Sequence, residues 1–170
     1  MISTRNHPNG RVPGALARYM RLAIDAARKG FRRGRGGPFG ACIVKGGRVL
    51  AVAHNRVLEA RQATRHAEIC AIEEASRRLK THELAGCDLY STTEPCVMCF
   101  AAINWARIGR IFFGTSIADA KKLGFNEMTI SNGALKRLGK SPIRIRPGVL
   151  RGECRGLFEE WRRFPERQTY

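Results

Sequence analysis

The sequence predicts an α/β fold: three layers, with helices on both faces of a mixed, mostly parallel five-stranded sheet. Two observations lead there. Apolar segments 39–45 and 49–54 flank Gly46-Gly47, a pair suited to the tight turn of a β-hairpin. Beyond residue 65, helical and strand segments alternate, which calls for crossover connections and parallel pairing. The 170 residues suffice for one domain with a real core.

Residues 1–14 hold Pro8, Gly10, Pro13 and Gly14 and read as a flexible lead-in to a single domain over 15–170. Leu16, Tyr19, Met20, Ala23 and Ala27 recur at helical spacing, so 15–29 is a helix, with Gly30 placed to end it. Arg33-Gly34-Arg35-Gly36-Gly37-Pro38 is a loop. The hairpin follows. Residues 56–65 have no clear period and read as a loop. A helix is expected over 66–80, a short strand over 88–92, and a second helix over 96–105, with Pro95 near its first turn. Residues 110–114 form a strand, 116–124 a short helix or turn, and 143–145 a last strand. Leu157, Phe158 and Trp161 make one stripe of a helix over 152–164.

Apolar residues make up 44% of the chain, but the longest apolar runs, such as Phe100-Ala101-Ala102-Ile103, are far too short to span a bilayer. The first residues lack the apolar core of a secretory signal. The expectation is a cytoplasmic protein without membrane contact, with its six cysteines reduced. Cys42, Cys70, Cys87 and Cys154 read as small buried hydrophobes. The net charge of +17 is concentrated at the ends: residues 1–36 carry nine Lys/Arg against one acid, and 136–170 carry ten against four. Such a surface attracts polyanions, so nucleic acid is a possible partner. It is not the favoured one, because no aromatic side chains interleave with the basic runs as stacking platforms.

The chemistry is concentrated in His66-Ala67-Glu68 and Pro95-Cys96-Val97-Met98-Cys99. One imidazole and two thiolates make a three-ligand zinc site. Without a fourth protein ligand, a coordination position stays open for water or hydroxide, which is the mark of a catalytic rather than a structural site. The cofactor expected is one Zn2+ per chain, held by His66, Cys96 and Cys99. Glu68, two residues after a ligand, is the natural proton carrier beside that water. A structural site closed by His54 or His82 is the alternative. In that case the chain would be a zinc-stabilised RNA-binding module rather than an enzyme.

The paired signature is that of zinc deaminases of nucleobases. The chain resembles the cytidine/deoxycytidylate deaminase superfamily, and within it the bacterial zinc-dependent guanine deaminases. The similarity runs from about residue 18 to the C-terminus. It is carried by Gly36-Gly37-Pro38-Phe39-Gly40-Ala41, His54-Asn55, Glu94-Pro95-Cys96-Val97-Met98-Cys99, Ala102-Ile103-Asn104-Trp105-Ala106-Arg107, Ile117-Ala118-Asp119-Ala120 leading to Gly124-Phe125, and the terminal Tyr170. The resemblance implies a cytidine-deaminase-like sandwich and hydrolysis of guanine to xanthine and ammonia. It also implies substrate-binding roles. Asn55 would hydrogen-bond the purine, Phe39 and Trp105 would wall the pocket, and Asp119 would accept from the adjacent ring NH and amine of guanine. The tail, about 160–170, would cross to the partner of a homodimer and place Tyr170 as a lid. Each residue has a plainer role available: Asn55 in a turn, Trp105 in the core, Asp119 as a helix cap.

Segments Arg107-Ile108-Gly109-Arg110-Ile111 and 144–154 are more like tRNA adenosine deaminases, and the basic ends point the same way. Conversion of adenosine to inosine in tRNA is therefore the second expectation, followed by cytosine or another aminated heterocycle. Pro38-Phe39-Gly40 and Trp105 depart from the tRNA pattern.

Overall fold

A computed structural model describes residues 14–170. The expected lead-in falls outside the described residues, except for Gly14, which opens the first helix. The elements are α1 (Gly14–Phe31), β1 (Gly40–Lys45), β2 (Arg48–His54), α2 (Val57–Ala60), α3 (Ala67–Leu79), β3 (Cys87–Thr93), α4 (Val97–Trp105), β4 (Arg110–Thr115), α5 (Ile117–Lys121), α6 (Asn132–Leu138), β5 (Arg144–Arg146) and α7 (Arg151–Arg162).

The five strands are ordered β2-β1-β3-β4-β5. β1 pairs antiparallel with both β2 and β3, while β3–β4 and β4–β5 are parallel. Four strands therefore point one way and β1 alone runs against them. The hairpin turn is as expected: Gly46 and Gly47 take φ of 54° and 83°, a conformation that side chains bearing a Cβ resist.

The two-residue period of the strands sorts the core into layers. Ala41, Ile43, Leu89, Ile111 and Phe113 face α3 and α4, where Ala67, Ala71, Ala75, Phe100 and Ile103 meet them. Cys42, Val44, Tyr90 and Phe112 face the other way, toward Tyr19, Met20, Ala23 and Ile24 of α1 and Cys154 of α7. Tyr90 and Phe112 stack across the β3–β4 pair with centroids 4.6 Å apart. Gly40 admits α1 onto this face, since a Cβ there would lie 2.0 Å from the Ala23 carbonyl. The Arg28 guanidinium fastens α7 to α1 by a two-pronged bond to Glu160, with Nη2–Oε1 at 2.8 Å and Nε–Oε2 at 2.9 Å.

Three expectations need correction. Gly30 does not end α1; the helix runs on to Phe31, whose buried ring joins Phe125, Leu157 and Trp161. Residues 57–60 make a helical turn inside the expected loop. α6 has no counterpart in the sequence-based expectation. Its seven residues carry too little apolar pattern to be seen alone, and Leu135 supplies its contact with the core.

Candidate active site

Two helix starts create the site. His66 is the N-cap of α3 and Cys96 the N-cap of α4; both have extended backbones, and neither side chain caps its own helix. The imidazole and thiol are thus left to point into the space where the two helices converge. Cys99, in the first turn of α4, joins them. His66 Nδ1 lies 3.6 Å from both Cys96 Sγ and Cys99 Sγ, and the three ligand atoms lie within 4.8 Å of one another. A tetrahedral zinc with ordinary Zn–S and Zn–N bonds sets sulfur and nitrogen about 3.6 Å apart, so the cradle has the size the ion needs. Burial works against the charged form of His66, yet the Cys96 bond and the Glu68 charge raise its pKa. A hydrogen bond from Cys99, then the His66 interactions, bring the Cys96 thiol down to about 4, so a thiolate is ready for a cation.

No fourth ligand closes the cradle among the described residues. His54 Nδ1 is engaged with the Asn55 carbonyl at 2.8 Å, and His82 lies 90% exposed beside Glu83.

Glu68 sits in the first turn of α3, buried, with Oε1 accepting from Ser91 Oγ at 3.0 Å and Oε2 facing Cys99 Sγ at 3.6 Å. Burial raises its pKa, the direction a proton carrier requires. Ser91 was not legible as a site residue, because a serine in a strand carries no signal of its own. Its position opposite α3 gives it the role.

His66, Glu68 and Cys96 line a cleft of about 180 Å³ together with Phe39, Asn55, Ala63, Thr93, Glu94 and Phe125–Glu127. Asn55 is 1% exposed, and its Oδ1 accepts from Val57 N at 3.1 Å, which leaves the amide NH2 to donate. Phe39 meets Phe125 edge-on at 4.8 Å. Glu127, which the sequence alone did not single out, brings a third, half-buried carboxylate; burial first, then the Cys96 charge, push it up to about 7.

Tyr170 also reaches this cleft. Gly37 N donates to its phenol oxygen and Asn126 N to its main-chain oxygen, each at 3.1 Å, and its ring packs on Phe125. Within the single chain the tail packs on its own body, with Phe164 edge-on against Phe31.

Two expected residues are elsewhere. Asp119 is the N3 residue of a capping box: its Oδ2 accepts from Ser116 N and Oγ and pairs with Arg151, which ties the carboxylate to the start of α5, away from the residues that line the cleft. Trp105 does not wall the pocket of its own chain, nor is it core. α4 buries Cys99, Phe100 and Ile103, and two residues beyond Ile103 the helix has turned away, leaving Trp105 82% exposed.

Residues 14–115 match the family model for the cytidine and deoxycytidylate deaminase zinc-binding region. The chain belongs to this deaminase family. It is a zinc-binding deaminase, a hydrolase of carbon–nitrogen bonds. It is 36% identical over 152 residues to the guanine deaminase of Bacillus subtilis, a match covering 89% of this chain and 97% of the relative. It is 45% identical over 106 residues to the tRNA-specific adenosine deaminase of Aquifex aeolicus, covering 62% of this chain and 68% of that one. A solved guanine deaminase from Nitrosomonas europaea superposes with a TM-score of 0.79 at 30% identity, covering 88% of this deaminase and 86% of the solved chain. Among the described residues, no helix of the deaminase is long and apolar enough to cross a membrane.

Proposed function

We propose that this deaminase converts guanine and water to xanthine and ammonia. The observation that carries the proposal is a half-buried carboxylate, Glu127, in a small cleft roofed by Tyr170. Guanine presents a ring NH and an amine side by side, and a carboxylate accepts both. A buried acceptor discriminates against bases without those donors. The role expected of Asp119 thus passes to Glu127. Asn55 donates to the acceptor edge of the base, and Phe39 and Phe125 lie along its faces. The cleft is smaller than the ~300 Å³ at the low end of drug-sized pockets, which suits a single heterocycle. Solved structures of one protein of the same fold, 30% identical to this chain, hold 2,6-diaminopurine and, in a mutant, 8-azaguanine, both purine-like bases.

The residues divide the work. Zinc held by His66, Cys96 and Cys99 supplies, when bound, Lewis-acid activation of water. Glu68 takes one proton from the attacking water and passes it to the ring nitrogen, then carries the second proton from the added hydroxyl to the amine, which leaves as ammonia while the carbonyl forms. Ser91 holds Glu68 in the orientation both transfers need. Tyr170 and the aromatic wall keep bulk water out.

Conversion of tRNA adenosine to inosine is the second proposal, supported by the 45% identity to a tRNA enzyme and the net charge of +17. A small cleft roofed by Tyr170 weighs against a nucleotide that must be flipped in from RNA. One assay decides: ammonia release from guanine, guanosine, cytosine, adenine and an adenosine-containing anticodon stem. Release from guanine is expected; release from the RNA alone would sink the guanine proposal. We further propose that the deaminase is a homodimer, which sedimentation of the zinc-loaded protein tests.

A further inference from the structure

Two helices place their first amides on one carboxylate. Glu94 Oε2 accepts from Ile117 N, at the start of α5, at 3.2 Å, and Oε1 accepts from Asn132 N, at the start of α6, at 2.7 Å. Amides at helix starts lack partners within the helix, so such an acceptor suits them. Residues 118–131 leave and return between these two points. That excursion carries Phe125, Asn126 and Glu127 into the cleft, and beyond them it is irregular and largely exposed, with Met128 62% accessible.

The same carboxylate stands two residues before Cys96. Asn132 completes the connection: its Nδ2 donates to the Pro95 carbonyl at 2.6 Å, so it fixes the peptide that enters Cys96. Asn132 is fully buried, and its Oδ1 has no partner. A residue that only filled this space would be apolar, since an unpaired buried carbonyl costs stability. The amide therefore serves its donor.

We infer that Glu94 and Asn132 are positioning residues that register the 125–127 segment against the Cys96 turn, and so set where Glu127 stands relative to the cradle of His66 and Cys96. The inference rests on the proposed role of Glu127 in holding the base.

The test uses zinc-loaded Asn132→Leu, which keeps the volume and removes the donor, and Glu94→Gln, which keeps the shape and sets an NH2 against one of the two amides. Hydrogen exchange should rise in peptides covering 118–131 while β3 and β4 stay protected, and zinc should remain at one per chain. KM for guanine should rise roughly tenfold, the scale of one or two net hydrogen bonds, with kcat falling less. The double variant should do less damage than the two single effects combined. If Tm drops but KM and segment exchange stay at wild-type values, the pair is merely structural and the inference is wrong. If wild-type protein does not act on guanine, the proposed function fails, and the exchange result alone still judges the clamp.

Discussion

Ser91 Oγ donates to Glu68 Oε1 at 3.0 Å, joining the centre of the sheet to the carboxylate at the start of α3. A hydrogen bond to an ionised group is worth about 1.5–3 kcal/mol. Ser91→Ala should therefore lower kcat roughly tenfold to a hundredfold with KM nearly unchanged. Glu68→Gln should keep zinc by metal analysis and abolish turnover; normal turnover would refute its role.

Glu127 and Asp119 separate cleanly. Glu127→Gln turns one acceptor oxygen into a donor and should raise KM for guanine by about ten- to a hundredfold. Asp119→Ala removes a helix cap and should cost about 1 kcal/mol of stability while leaving KM for guanine alone. The reverse pattern in steady-state kinetics and thermal melts would restore Asp119 to the pocket.

Metal removal should abolish activity without melting the protein at room temperature. His66, Cys96 and Cys99 belong to none of the three apolar clusters that hold the fold. Chelation should leave the far-UV dichroism intact and lower Tm, because a ligand that binds only the native state stabilises it. Cys96→Ala should bind zinc far more weakly and remain folded.

The Glu160 carboxylate has its pKa lowered, first by its bond from Arg28 and then, against the cost of partial burial, by the charges of Arg28 and Arg32. A depressed folded pKa gives stability that is present above the unfolded value and is lost as pH falls through the folded one. Glu160→Gln should accordingly destabilise the protein at neutral pH by less than about 1 kcal/mol, since Glu160 is 35% exposed. The difference from wild type should shrink as pH falls below the ordinary glutamate value of about 4.3 and vanish once it is below the depressed folded value. Urea melts across that range would show it, and a gap that widens in acid would contradict it.

The sequence by itself determined the α/β class, the hairpin at Gly46-Gly47, and the convergence of His66, Cys96 and Cys99 on one possible metal site with Glu68 beside it. Each depends on close spacing, and a helix start turns short spacing directly into convergence of side chains. Asn55, Phe39 and Tyr170, which came from resemblance, also reach the cleft. Tertiary structure alone decided the rest. Ser91 and Glu127 meet the site from 23 and 31 residues away from Glu68 and Cys96, and nothing local marks a serine in a strand or a glutamate in an irregular segment. Asp119 and Trp105 went the other way. Local capping claimed the first, and helix rotation exposed the second, because a side chain's neighbours across the chain are set by packing and not by its position in a motif.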